Sequence, residues 1–147
     1  MNPNPVFHKV LPKGKKAYLE AELQTIAATY GFTPHLYDVL TVENSVVLCM
    51  ERIQSPCLAE KYGDEESKIP KPLWKQIYNI LVTLFEREGI EYIDITPYNF
   101  IEHEGKVYII DFGHAFYTPK ENGGKPTNWF LRKFLVNEEC GWNPDFR

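Results

Sequence analysis

Three side chains in the second half of the sequence have the types and the spacing that phosphoryl transfer requires. Asp94 is followed five places later by Asn99, and Asp111 stands at the end of an apolar run. Transfer of a phosphoryl group between oxygens depends on holding the acceptor in line and on neutralising the phosphate charge with Mg²⁺. Mg²⁺ prefers hard oxygen ligands such as an Asn carbonyl and an Asp carboxylate. The pattern therefore predicts one base, Asp94, and two metal ligands, Asn99 and Asp111.

Two short strands are expected to carry these ligands. Residues 105–110 have the pattern of a turn and a buried strand that leads to Asp111, and residues 100–101 have that of its hairpin partner. Both metal ligands would then lie at strand ends that face one cleft.

The segment 89–116 resembles the catalytic loop, hairpin and Asp-Phe-Gly motif of the protein-kinase-like superfamily. An Asp-Phe-Gly triplet alone is weak evidence, because it also fits an ordinary strand followed by a turn. The upstream Asp and Asn at kinase spacing make the resemblance specific. It implies that Asp94 is the catalytic base, that Asn99 and Asp111 hold Mg²⁺ with ATP, and that Phe112 packs behind the metal ligand.

The first part of the sequence fits the same resemblance. Residues 6–10 alternate as a short strand, and residues 15–30 carry an apolar stripe at helical spacing that ends at Gly31. The pair resembles the kinase strand that carries a phosphate-binding lysine and the helix that carries its glutamate partner. This assigns Lys9 and Glu22 to those roles.

The choice of Glu22 depends on the rotation of that helix. With Glu22 at the site, Ile26 would point toward Phe112 one turn later. Glu20 is the rival for the glutamate and Lys13 for the lysine, and a surface lysine and a surface glutamate remain the alternative to any pairing.

A second resemblance concerns the nucleotide base. The strand predicted over residues 45–53 ends like a kinase hinge, which implies that Met50 guards the back of the adenine pocket and that backbone groups of Glu51 and Ile53 bond the purine edge. Ile101 and Ile110 complete the predicted nucleotide site. Because main-chain groups matter most at a hinge, these residue types also fit an ordinary core strand.

The remaining pattern predicts a minimal bilobal protein-kinase-like fold of the α+β class in a single domain. Residues 33–39 and 45–53 indicate strands around a turn, and the apolar repeat over residues 73–85 predicts the main helix of the larger lobe. The predicted parts are a reduced N-lobe with a small sheet and one helix over 1–53, a linker over 54–72, and a reduced helical C-lobe with the catalytic hairpin over 73–147.

Several parts of larger kinases are expected to be missing. The first nine residues contain no glycine, which leaves no room for a Gly-rich lid, and too few residues follow Gly113 for a peptide-docking platform. Ile93 stands where many kinases have the Arg that contacts a phosphorylated activation loop. Thr96 replaces a phosphate-contacting Lys, as small polar residues do in RIO-type and small tRNA-modification-associated kinases. Lysines within residues 13–16 could contact phosphates or form a solvated turn, and His114 could contact the site or be structural.

Composition limits the other classes. A chain of 147 residues with 44% hydrophobic content can bury one core, and a net charge of −4 gives no basic footprint for direct nucleic-acid binding. No apolar run is long enough to span a bilayer, and no signal-peptide pattern is present. Cys49, Cys57 and Cys140 are far apart and odd in number, which predicts free thiols in the cytoplasm, and the histidine spacing disfavours zinc.

The predicted function is phosphoryl transfer from ATP, with Mg²⁺, to a hydroxyl of a protein substrate or dedicated protein partner. Compact chains of this kind resemble reduced kinases of large DNA viruses and bacterial effectors, for which the host cytoplasm is the expected location. Two alternatives stay open: a small-molecule kinase of the aminoglycoside and choline kinase type, and a non-catalytic nucleotide-binding module that engages a partner kinase or its substrate. Retention of a base and two metal ligands favours an enzyme.

Overall fold

The N-terminal part of the protein is an antiparallel sheet covered on one face by a helix. In the computed structural model, which describes residues 5–146, three strands pair in the order β1-β3-β2. The strands are β1 (Val6–Pro12), β2 (Leu36–Val42) and β3 (Ser45–Glu51), and the helix is α1 (Lys15–Thr29). Residues 1–4 and 147 of the predicted lobes lie outside the described part, and the lobe boundaries remain predictions.

The register of the sheet decides which way Lys9 points. Lys9 pairs with Leu48, and residues opposite each other in antiparallel strands project from the same face. Leu48 is fully buried and packs with Ala17 and Ala21 of α1. Lys9 therefore lies on the face that the helix covers.

Helix α1 ends at its predicted stop signal. Thr29 is its last residue, Tyr30 caps it, and Gly31 then adopts a positive φ of 76°, as a glycine just past a helix commonly does. Its buried face includes two polar side chains, Glu20 and Gln24, which are 5% and 3% exposed. The side-chain NH₂ group of Gln24 donates to the main-chain carbonyl of Pro34. The buried carboxylate of Glu20 also requires a partner, because buried polar groups are almost always hydrogen-bonded.

The segment predicted as a linker contains two short helical elements. Residues 54–72 contain a short helix, α2 (Leu58–Tyr62), and a 3₁₀ turn (Glu66–Lys68). Leu58 and Ile69 are buried in the main core, so hydrophobic contacts that no local pattern revealed hold this segment in place.

The larger part of the protein is built on helix α3 (Lys71–Glu88). Pro72 occupies its first turn, where the missing N–H costs nothing, and Gly89 ends it with a φ of 66°. Two pairs of short antiparallel strands and a further helix complete this part. The elements are β4 (Ile90–Glu91), β5 (Phe100–His103), β6 (Lys106–Ile109), β7 (Phe116–Tyr117), α4 (Trp129–Val136) and a 3₁₀ turn (Pro144–Phe146).

These elements confirm the predicted α+β class, with a small N-terminal sheet, one helix packed on it and a second part that carries the predicted hairpin. Strands β5 and β6 form the predicted hairpin, with Phe100 opposite Ile109. Within residues 5–146, no helix is both long and apolar enough to cross a membrane.

A buried carboxylate holds the segment that follows the Asp-Phe-Gly motif. Glu91 is completely buried and accepts hydrogen bonds from the hydroxyls of Thr118 and Thr127, both at 2.8 Å, and from the main-chain N–H groups of Thr127 and Asn128. The two ends of residues 118–127 are thereby tied to one side chain.

We expect Glu91→Ala to lower the free energy of unfolding by about 3 kcal/mol, because the donors around a buried charged acceptor lose their partner. Chemical denaturation measures this value. Glu121→Ala removes an exposed acid from the same segment and serves as the matched control. Equal denaturation midpoints for the two variants would contradict the assignment.

Candidate active site

A cleft of about 340 Å³ lies between the N-terminal sheet and the β5–β6 hairpin. Its volume is within the range of small-molecule pockets, about 300–1,000 Å³. The structure brings most of the predicted site residues together here, and only Asp94 and Glu22 are not among its lining. The predicted residues that line the cleft are Lys9, Met50, Glu51, Ile53, Asn99, Ile101, Ile110 and Asp111.

Asp111 is held at the cleft by its own motif. One carboxylate oxygen, Oδ1, accepts from the N–H of Gly113 at 2.7 Å and from the ammonium of Lys9 at 3.2 Å. The next residue, Phe112, is buried and packs edge-on against Tyr92 with ring centroids 5.4 Å apart. The second oxygen of Asp111 accepts no hydrogen bond from the described residues, so it is available to a cation.

Asn99 is oriented by the loop that carries Asp94. Its side-chain NH₂ group donates to the main-chain carbonyl of Asp94 at 3.0 Å, and the main-chain carbonyl of Asn99 accepts from the N–H of Ile110 at 3.1 Å. The amide is therefore fixed with its side-chain oxygen unused among the described residues, and an amide oxygen is a suitable Mg²⁺ ligand.

The donor set fits a nucleotide-bound magnesium ion. Within residues 5–146, no group of three or more His, Cys, Asp or Glu side chains could hold a metal independently. Mg²⁺ beside a nucleotide takes one or two protein oxygens and completes its shell with phosphate oxygens and water. Asn99 and Asp111, both at the cleft, supply that number of ligands.

The predicted partner of Lys9 was wrong. Lys9 forms an ion pair with Glu20 and a second one with Asp111, whereas Glu22 accepts a hydrogen bond from Tyr117. Residues two apart on a helix do not face each other, so only one of the two glutamates can point under the sheet. The stripe of small residues at Ala17 and Ala21 marks that face, and it was the signal for Glu20 in the sequence.

The charge state of Lys9 follows from these partners. Burial lowers the pKa of Lys9, but the hydrogen bond from Lys9 to Glu20 and the negative charges of Asp111 and Glu20 together outweigh it. The pKa of Lys9 is consequently raised above its ordinary value, and the side chain is a cation at neutral pH.

Asp94 lies next to the cleft, and its carboxylate is held by His114. Its Oδ2 atom is 3.1 Å from Nδ1 of His114, and its side chain is 15% exposed. An ionised carboxylate only accepts hydrogen bonds, so Nδ1 of His114 carries the proton in this pair. Oδ1 of Asp94 has no hydrogen-bond partner among the described residues and can accept a proton.

The hinge is only partly available to a purine. Met50 is 5% exposed and closes the back of the cleft. The N–H of Glu51 donates to the carbonyl of His35 at 2.9 Å, which removes this donor from the predicted contact. The N–H of Ile53 donates to no described residue and is the stronger candidate.

Tyr92 contributes a buried hydroxyl close to the candidate site. It is 1% exposed, and its hydroxyl has no hydrogen-bond partner among the described residues. Burial, followed by the charges of Asp94, Asp111 and Glu20, raises the pKa of Tyr92 well above its ordinary value. The phenol stays neutral beneath the carboxylates.

The family model of the RIO domain matches residues 13–132. The match contains Glu20, Asp94, Asn99 and Asp111, while Lys9 precedes it. No curated protein gives a significant match.

We expect Glu20→Ala to lower the free energy of unfolding by about 3 kcal/mol, because it removes one partner of a largely buried ion pair. Glu22→Ala, two residues away on the exposed face, should change it by less than about 0.5 kcal/mol. Urea denaturation of both variants checks the corrected pairing. A larger loss of stability for Glu22→Ala than for Glu20→Ala would identify Glu22 as the partner of Lys9.

Tyr92→Phe should leave the free energy of unfolding unchanged or raise it by up to about 1 kcal/mol, because the buried hydroxyl that is removed has no partner. The matched control is Tyr78→Phe, whose hydroxyl donates to the carbonyl of Leu135 at 3.1 Å. That change should cost about 1 kcal/mol. A larger loss for Tyr92→Phe than for the control, measured by thermal denaturation, would assign the Tyr92 hydroxyl a stabilising contact.

Proposed function

Because the chain belongs to the RIO domain family, we propose that it transfers the γ-phosphate of ATP to a hydroxyl group of a protein. RIO domains belong to the protein-kinase-like superfamily, which confirms the predicted resemblance, and they have an atypical kinase-like fold that binds ATP. The family typically uses ATP with Mg²⁺. The observation that carries the proposal is the meeting of Lys9, Asn99 and Asp111 at one cleft beside Asp94.

Each residue has a defined task in this proposal. The cationic side chain of Lys9 binds phosphate oxygens at the mouth of the cleft. Asn99 and Asp111 present unused oxygens to Mg²⁺, which, when bound, neutralises the charge on the phosphates. Oδ1 of Asp94 accepts the proton of the acceptor hydroxyl, while the hydrogen bond of His114 to Oδ2 fixes the direction of the carboxylate.

A second candidate follows from the lining of the cleft. The described N-terminal sheet has three strands, and no glycine is among the described residues that line the cleft. A protein of this design that binds nucleotide weakly and engages a partner kinase or its substrate would be a non-catalytic module. The complete set of base and metal ligands favours catalysis over this alternative.

The proposed location is the cytoplasm. Cys49, Cys57 and Cys140 are free thiols in the structure, which is the usual state of cysteines in a reducing compartment. We further propose that the acceptor is a protein or a dedicated protein partner.

The test is phosphate transfer from labelled ATP with Mg²⁺ to a panel of proteins. Asp94→Asn should reduce transfer at least about a hundredfold, because it removes the base, yet should keep the stabilisation by ATP and Mg²⁺. Asp111→Asn should lose both. Asp64→Asn is the control, because Asp64 is exposed and its side chain forms no hydrogen bond or ion pair with the described residues.

The outcomes separate the three candidates. ATP turnover with a metabolite and without protein labelling would identify a small-molecule kinase. Stabilisation of about 2.7 kcal/mol at a hundredfold excess of ATP over its dissociation constant, without any turnover, would identify the binding module. No stabilisation by ATP and Mg²⁺ would contradict the nucleotide site itself.

A further inference from the structure

The C-terminal residues 142–146, named here the strap, fold back onto the loop that carries Asp94. The strap is anchored by Trp142, which is 2% exposed and packs against Trp74 and Phe100 at centroid distances of 4.4 and 6.4 Å. The N–H of Trp142 also donates to a carboxylate oxygen of Glu66 at 2.9 Å. The strap lies outside the segment that matches the RIO domain, and none of its residues lines the nucleotide cleft.

Asn143 holds the main chain on both sides of Asp94. Its N–H donates to the carbonyl of Ile95, and its side-chain NH₂ group donates to the carbonyl of Ile93, both at 2.8 Å. Its side-chain oxygen accepts from the N–H of Asp145 at 3.0 Å. Asn143 is completely buried, and all three bonds are therefore shielded from water.

Asn143 of the strap and Asn99 together donate hydrogen bonds to three consecutive main-chain carbonyls. Asn143 binds the carbonyls of Ile93 and Ile95, and Asn99 binds the carbonyl of Asp94 between them. Fixing these groups fixes the peptide planes of the loop, and with them the direction of the Cα–Cβ bond of Asp94.

The end of the strap reaches the side chain of the base through His114. The ring of Phe146 packs on the imidazole of His114 at a centroid distance of 5.0 Å, and that imidazole bonds Oδ2 of Asp94. Asp145 ties the strap to α4 by accepting from the indole N–H of Trp129 at 2.7 Å. His114 is half exposed, so Phe146 limits the directions in which its ring can turn.

We propose that the strap is a positioning element for Asp94. Asn143 sets the main chain of the loop, and Phe146 sets the His114 ring that orients the carboxylate. The strap acts on the acceptor side of the site and leaves nucleotide binding alone. This inference rests on the proposed function, in which Asp94 is the base, and misplacement of a catalytic group by about 1 Å can cost about a hundredfold in rate.

The first experiment separates turnover from nucleotide binding in the full chain. Phe146→Ala should reduce kcat about tenfold or more while the KM for ATP and the thermal shift with ATP and Mg²⁺ stay at wild-type values. Phe146→Tyr keeps a ring against His114 and should restore turnover. Pro144→Ala changes an exposed residue of the same strap and should have no effect. Wild-type kcat in Phe146→Ala, or a loss confined to the KM for ATP, would overturn the proposal.

A double-mutant comparison tests whether the strap works through the base. In an Asp94→Asn background, Phe146→Ala should cause no further loss, because the group it positions is already gone. An equal loss in both backgrounds would instead assign Phe146 a role independent of Asp94 and overturn the proposal.

A measurement without turnover keeps this inference distinct from the proposed function. Phe146→Ala should shift the ¹⁵N resonances of the His114 ring, and Asn143→Ser should speed hydrogen exchange at the amides of Ile95 and Thr96. If the wild-type chain transfers no phosphate, the proposed function is contradicted, but these spectra still test whether the strap positions the Asp94 loop and His114. Unchanged His114 resonances together with unchanged amide exchange would overturn the proposal about the strap.

Discussion

The ion pairs of Lys9 are the interactions on which the rest of the site depends. They join β1, which carries Lys9, to α1 through Glu20 and to the end of the β5–β6 hairpin through Asp111. A carboxylate as buried as that of Glu20 is costly unless a cation pairs with it, so the fold requires Lys9 on the inner face. A shift of β1 by one residue would turn Lys9 outward, and the register of the sheet is therefore constrained by charge as well as by packing.

Local sequence patterns were sufficient for a prediction where the residues that form a feature lie close together in the sequence. Spacing alone indicated that Asn99 and Asp111 lie at one cleft with Asp94 beside it, and the apolar repeat with Pro72 and Gly89 indicated α3, because these signals act within a few residues. The roles of the three site residues remain predictions. The rotation of α1 was not found in this way. It depends on which face the sheet covers, and only the tertiary structure makes Glu20, and not Glu22, the partner of Lys9.

Contacts between distant segments explain what the sequence could not reveal. Glu91 binds groups 27 and 36 residues away, and Asn143 binds a carbonyl 50 residues away, so no spacing rule links them. Both are polar residues that would be assigned to the surface by type alone, and both are completely buried. Their burial is possible because each of their side-chain oxygen and nitrogen atoms has at least one hydrogen-bond partner.

The arrangement divides two tasks between two sets of contacts. In the proposed function, Lys9 with Glu20 and Asp111 holds the side of the cleft that would bind the cation, and His114 with the strap holds the side of Asp94 that would face the acceptor. Asn99 belongs to both sets, because its NH₂ group fixes the Asp94 loop and thereby fixes the direction of its own oxygen. In a protein with few helices around its loop, side-chain bonds to main-chain carbonyls supply the rigidity that packed elements would otherwise give. Because Asn99 bonds the main chain of the loop while Phe146 packs on His114, which bonds the carboxylate of Asp94, a change at Phe146 bears on the carboxylate and leaves the oxygen of Asn99 in place.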